Sequence, residues 1–357
     1  MKVIMIGSHS RVTGGITRVV KNYIQAGLDQ RTEFEYLSTY YGSKHYVNIL
    51  FFIMQYLKLY VKLILLNQKF DIAHIHMSYR GSFIRKRYIT KLLVRKKIPV
   101  VLHMHGSQFK DFYNESSCKR KRQIIDMLNN VSLILALGDQ WKEYYQSICE
   151  TKVVSLDNAV FPKQAVNEPE FKKYITVMGL LSQRKGTYDL IEVGNKIKGK
   201  IDSKYKFVLA GDGEVDKVKK RINDLNLNDL FIVPGWISDE NKIEEIYRNS
   251  IIYVLPSYNE GMPMSILEAM SYGLPIVSTN VGSIASVVEK NNGIIINPGD
   301  IDGIVKSIID LLNNPKELEQ ISRNNIEKIG NNYNIFNSID KLLSFYLQVK
   351  IDNRDGK

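Results

Sequence analysis

The chain has 357 residues, more than one hydrophobic core ordinarily serves, so two domains are expected. Its 44% hydrophobic and 24% charged content excludes a disordered chain, and two cysteines, Cys118 and Cys149, are too few for a disulfide framework and point to a reducing compartment. The net charge of +12 is uneven: through Lys163 there are 25 Lys and Arg against 11 Asp and Glu, and beyond it 24 against 26, so the first half calls for an anionic partner.

Met1 to Gly7 reads as a short apolar strand, not as the charged region and long apolar core of a secretory signal. Gly14-Gly15-Ile16 then precedes a helical pattern from Thr17 through Leu28. A glycine pair there lets backbone approach a ligand closely and serves equally as a plain tight turn. The G-x-G-x-x-G fingerprint is missing, which counts against a dinucleotide oxidoreductase. Tyr46 to Leu66 is long enough to span a bilayer, but Gln55, Lys58 and Lys62 share one face and would stand in hydrocarbon. A packed helix with one wet stripe is expected, with partial insertion at a membrane interface as the alternative.

Phe70 to His76 is a buried strand whose His74 and His76 lack a carboxylate or Cys partner at ligand spacing, so they read as strand-end polar residues. Arg85, Lys86, Arg87, Lys91, Arg95, Lys96 and Lys97 make a one-signed helix before Pro99, and Lys119 to Arg122 a second basic cluster. Val100 to Phe109 is a strand running into a glycine loop, with His105 where the strand ends, at the edge of a ligand crevice. A lone histidine there is more often structural. Phe161 to Pro169, with two prolines and little periodicity, reads as a linker. The strand pattern then restarts at Tyr174 to Gly179, and Arg184-Lys185-Gly186 precedes a helix. Lys206 to Gly213, which contains Gly211, and Phe231 to Ile237 are further strand-and-turn units. Asp300 and Asp302, after Pro298-Gly299, read as a helix cap with a first-turn acid rather than as a metal pair.

The most informative stretch is Tyr253 to Asn280. An apolar run breaks at Pro256, a helix begins at Pro263 taken as its first residue, Gly273 ends it in a left-handed cap, and Ile276 opens a second buried strand. This is a β-loop-α-β unit of a parallel sheet. Free amides near Met264 and Ser265 are suited to phosphate. Glu268, roughly 7 Å along the axis at 1.5 Å per residue, is placed for ribose hydroxyls. Glu260, ahead of the helix, is placed for a sugar carried on that phosphate. The plainer alternative is a capping glutamate and an unrelated exposed one.

Pro256-Ser257-x-x-Glu260-Gly261-x-Pro263, followed by Glu268-Ala-Met-x-x-Gly-x-Pro-Ile-Val277, resembles the signature of the retaining glycosyltransferases of family 4, also called group 1, which have the GT-B fold. The resemblance implies an α/β fold of two Rossmann-like domains facing across a cleft: residues 1–163 binding acceptor, 164–335 binding nucleotide-sugar, and 336–357 returning to the first domain. It gives Glu260 the donor sugar, Glu268 the ribose, and Lys185 the diphosphate, with Arg184 standing in for an arginine that Leu180 replaces. It places Gly14, Gly15 and Gly211 around the donor, Ile237 at the base through its backbone, and Met262, Pro263, Met264 and Ser265 in the phosphate loop. It also turns His105 into a catalytic candidate beside Glu260. The implied reaction is metal-independent and cofactor-free hexose transfer from a UDP-sugar to a lipid-linked or oligosaccharide acceptor in surface polysaccharide synthesis. The enzyme is expected in the cytoplasm, peripheral on the anionic inner face of the cell membrane, with no nucleic acid as partner. The alternatives are a catalytically weak nucleotide-sugar-binding protein and a basic nucleic-acid-binding module, which would have no use for the glutamate pair.

Overall fold

The computed structural model describes residues 1–163 and 172–355. It divides the chain into two units, Met1–Ala159 with Ile335–Lys357, and Val160–Asn334. Most of the linker read from the sequence, residues 164–169, lies outside the described residues.

The first unit is built on a parallel sheet of β1 (Lys2–Gly7), β2 (Glu33–Ser38), β3 (Ile72–Met77), β4 (Val100–Met104), β5 (Leu133–Ala136) and β6 (Val153–Ser155), in the order β2-β1-β3-β4-β5-β6. The second repeats the plan with β7 (Tyr174–Met178), β8 (Lys206–Ala210), β9 (Phe231–Gly235), β10 (Ser250–Leu255), β11 (Ile276–Thr279) and β12 (Gly293–Ile296), ordered β12-β11-β10-β7-β8-β9. Helices cover both faces of such sheets, so central strands are buried on both faces; all of Ile72–Met77 and Ser250–Leu255 is buried. Chain order reverses between β1 and β3 in one sheet and between β7 and β10 in the other. Loops leaving the carboxyl ends of strands at such reversals form the crevices where ligands bind.

The C-terminal helix, Ile335–Asp355, belongs to the first unit. Its buried Tyr346 hydroxyl bonds His74 Nδ1, and Lys350 pairs with Asp71 at 2.8 Å. The second unit begins and ends at one point: Val160 bridges Asn334, and the Val160 amide donates to the Tyr333 carbonyl at 2.9 Å.

Two expectations need correction. His74 and His76 are not strand-end polar residues; they stand inside β3 at 0% and 1% exposure, and His76 lies in register with His103 of β4. Period two puts His74, His76, His103 and His105 on one face of the sheet, where their ring centroids lie 4.2–5.3 Å apart. Lys86 is not part of the one-signed basic face of its helix either. It is buried, with Nζ donating to the Gly7 carbonyl and to Thr39 Oγ1.

Burial disfavours the charged imidazole and pushes His74 and His105 down to about 3, with His76 and His103 also held well below their ordinary value. Unfolded imidazoles titrate near their ordinary 6.5. Between these limits the unfolded chain binds protons that the folded chain does not, so this contribution is complete above pH 6.5 and is lost as pH falls toward 3. The expected result is faster hydrogen exchange of β3 and β4 amides as the pH is lowered from about 6.5, after correction for intrinsic exchange rates, and a shallower dependence in His103→Gln. A flat corrected profile would count against the buried neutral cluster.

Candidate functional site

The site in the second unit forms because β7 and β10 are neighbours, so residues 179–186 leave the sheet beside residues 256–263. The Tyr258 amide donates to the Arg184 carbonyl at 2.9 Å, and the Arg184 guanidinium donates to the Asn259 carbonyl at 2.7 Å. Lys185 Nζ pairs with Glu260 Oε1, and Ser257 Oγ donates to the same oxygen at 2.8 Å. Glu260 is 7% exposed, so its carboxylate is held almost wholly by these two groups. Gly186, at φ 70°, lies against β10; a Cβ there would stand 2.2 Å from the Pro256 carbonyl oxygen. From the other side Gly282, at φ 56°, presses on Glu260, where a Cβ would meet its carbonyl oxygen at 2.0 Å. The Ser283 amide fixes that turn by donating to the Gly261 carbonyl at 2.8 Å.

The helix that follows is Met264–Ser271. Pro263 precedes it as the N-cap, with ψ 121°, and is not its first residue as the sequence reading had it. No side chain caps this end, so its first amides point past the sheet, where a phosphate would be met by donors and by the positive end of the helix dipole. Every residue of the helix is buried except Ser265 and Glu268, which lie one turn apart on one face. Glu268 Oε2 accepts from the Tyr247 hydroxyl at 3.4 Å. Tyr253 lies beneath, its hydroxyl donating to the Met178 carbonyl at 3.1 Å; burial pushes its phenol up, so it stays a neutral donor.

Arg184, Lys185, Glu260 and the start of this helix are thus brought together. The side chains of Met262, Pro263 and Met264 are buried, which leaves them only backbone to offer a ligand. The Gly211 amide donates to the Gly235 carbonyl at 2.9 Å, tying the turn after β8 to the end of β9, two residues before the half-buried Ile237. Leu180 is 45% exposed on the turn after β7.

The remaining expected residues lie in the first unit. Gly14 caps the Gly15–Gln25 helix, and a Cβ on Gly14 or Gly15 would meet nothing within 4 Å. His105 sits one residue beyond β4, half-buried, with its amide donating to the Met77 carbonyl at 2.8 Å and its Nε2 bonded to His76 Nδ1 at 2.9 Å. That bond fixes the ring's orientation.

As possible metal ligands, ring nitrogens of His74, His76 and His103 lie within 4.8 Å of one another, a donor set suited to a borderline ion such as zinc, but inside the sheet and without a carboxylate among them. Asp300 instead caps the Gly303 amide at 2.8 Å, and Asp302 pairs with Lys196 at 2.7 Å. Sequence reasoning assigned no role to Ser257, Gly282 or His76. Ser257 lay within the quoted motif three residues before Glu260, a spacing that suits a hydroxyl-to-carboxylate bond.

The sequence profile of the family described as "Glycosyl transferases group 1" matches residues 161–328, nearly all of the second unit. The second unit carries the group 1 glycosyl transferase domain. The UDP-Gal:alpha-D-GlcNAc-diphosphoundecaprenol alpha-1,3-galactosyltransferase of Escherichia coli is 28% identical over 81% of this chain and 78% of the relative. The 2-deoxystreptamine N-acetyl-D-glucosaminyltransferase of Niallia circulans is 26% identical over 68% and 67%. Among solved structures, HepE of Anabaena in complex with UDP superimposes with a TM-score of 0.78 at 15% identity, over 98% of this chain and 100% of that one. Sucrose-phosphate synthase of Thermosynechococcus elongatus does so with 0.79 at 15% identity, over 98% and 99%. The fold is GT-B, two Rossmann-like domains in one chain.

Proposed function

We propose that the chain transfers a hexose from UDP-sugar to a hydroxyl of a lipid-linked or growing saccharide in surface polysaccharide synthesis, with retention at the anomeric carbon and without a metal ion. The observation that carries this reading is the Lys185–Glu260 pair set at the uncapped start of a helix whose open face carries Ser265 and Glu268. Cations and amides suit a diphosphate, Glu268 a ribose and Glu260 a sugar. The relatives support the acceptor class by their names: one acts on a diphosphoundecaprenol-linked sugar, and others are an O-antigen chain mannosyltransferase and a putative colanic acid biosynthesis glycosyltransferase.

In this reading the bond between the anomeric carbon and the β-phosphate oxygen breaks, and the diphosphate leaves with the electron pair. The acceptor hydroxyl oxygen bonds the anomeric carbon from the same face, and its proton passes to the departing phosphate oxygen. Lys185, Arg184 and the Met264–Ser271 amides stabilise the charge that grows on the diphosphate, a role preorganised donors fill without an ion. Glu260 faces the positive charge that grows on the ring. His105, neutral and held by His76, would supply a hydrogen bond to the sugar from the unit that also receives the acceptor.

A panel of nucleoside diphosphates tested by thermal shift should give its largest increase with UDP, since a ligand bound only by the folded state raises apparent stability. Glu268→Ala removes a charge-assisted bond of about 1.5–3 kcal/mol and should weaken UDP and UDP-sugar together, by roughly 10–150-fold. If calorimetry finds both affinities unchanged, Glu268 does not hold the ribose.

A further inference from the structure

The helix His45–Tyr60, continued by a π-helical turn at Val61–Leu65, is apolar on its outer face as well as on the face it buries. Two of its polar groups, Asn48 and Lys62, are turned toward the protein. Asn48 Oδ1 accepts from the amides of Tyr41, Gly42 and Ser43 at 3.1–3.3 Å, and Lys62 pairs with Glu35. Leu59 and Leu63, at 0% and 1% exposure, enter the core of the first unit. The outward face carries Tyr46, Leu50, Ile53, Leu57, Val61 and Leu65, spaced three or four residues apart and 40–70% exposed. Solvent normally meets the polar side of a helix, and an unbroken apolar stripe of this length marks an interaction surface.

Charge decides what covers it. The helices Gly81–Arg95 and Cys118–Asn129 join the same hydrophobic cluster through Phe83, Leu92, Ile124 and Met127, so all three helices line one side of the sheet. Arg87 and Arg120 line one groove with Ile84 and Tyr88, and Lys58, Lys91 and Arg122 are exposed on the same three helices. An apolar ridge beside a basic shelf matches a bilayer interface, where acyl chains take the ridge and anionic headgroups the cations. Among the described residues this is the one helix long and apolar enough to cross a membrane, 21 residues or roughly 30 Å at 1.5 Å per residue. Spanning would tear out Leu59, Leu63 and the Lys62–Glu35 pair.

We propose that this face seats the protein on an anionic bilayer, with the His45–Leu65 helix lying in the plane of the interface. The proposal deepens the reading of a lipid-linked acceptor, but its test needs neither donor nor acceptor, so a protein that binds vesicles and transfers no sugar separates the two failures. The full chain is co-sedimented with vesicles of phosphatidylcholine containing phosphatidylglycerol and with phosphatidylcholine alone. Binding should favour the anionic vesicles, and Leu50→Asp/Leu57→Asp should lower it at least about tenfold at both low and high salt. Lys91→Glu/Arg122→Glu should lower it by roughly fivefold or more per cation at low salt only. These side chains face solvent, so melting temperatures and UDP binding should stay those of the unsubstituted chain. Three outcomes would overturn the proposal: no sedimentation with either vesicle, the Leu50/Leu57 variant sedimenting like the unsubstituted chain, or a solution dimer that this variant dissociates, which would give the face to a second copy.

Discussion

Glu260→Gln should lower kcat by about 10²–10³-fold, the range for deleting one oriented group that meets transition-state charge, while leaving UDP affinity unchanged or slightly tightened. The amide keeps the shape and can still accept from Ser257 Oγ, so the loop should hold its course. What disappears is a negative charge. The transferred sugar ring is positive only as the bond breaks, so the loss falls on the transition state and not on ground-state binding. UDP carries no sugar, and removing an anion beside Lys185 frees that cation for the diphosphate. Single-turnover kinetics with UDP-sugar, beside calorimetry with UDP, measure the two effects separately. Full activity in the variant, or lost UDP binding, would place the donor sugar elsewhere.

Lys185→Ala should be more damaging than a typical surface lysine substitution, because its partner is not on the surface. The paired side chains are 16% and 8% exposed, and removing one member of such a pair strands the other charge at a cost of about 3–5 kcal/mol. Melting temperature and UDP affinity should therefore fall together. The double variant Lys185→Ala/Glu260→Gln removes the stranded charge and should recover most of the thermal stability without recovering UDP binding. If the double variant regains both, Lys185 serves only to neutralise Glu260 and does not meet the diphosphate. If the single variant loses neither, the pair contributes little to either property.

The local grammar of the site was legible. Pro256 ends a strand, Gly273 stands at φ 73°, and the buried run after it is β11, as the residues themselves required. What local sequence does not contain is sheet order. Lys185 and Glu260 are 75 residues apart, and they meet only because β7 lies beside β10. The same holds for the histidines: alternation places each pair on a face, but the pairing of His76 with His103 depends on how β3 registers with β4. Lys86 was misread because its neighbours in sequence are cations, whereas its environment is set by the carbonyl and hydroxyl at the ends of β1 and β2. The error at Pro263 is of another kind. Proline fixes φ and leaves ψ free, so the residue type alone does not distinguish a cap from a first helical residue.

The bridge between Val160 and Asn334 makes the second unit, in topological terms, an insertion. A chain segment that leaves and re-enters at adjacent points can be lengthened, excised or exchanged without rethreading its host, the condition under which domain insertion and permutation are tolerated. The host here is discontinuous: Tyr346 arrives after the insertion to close over His74, so the first unit completes its own core only when the last helix has been made. A ribosome therefore finishes the second unit before the first, although the first begins earlier. Grafting a different module between Ala159 and Ile335 would exchange the whole second unit while leaving the first unit, with its exposed apolar His45–Leu65 helix, in place.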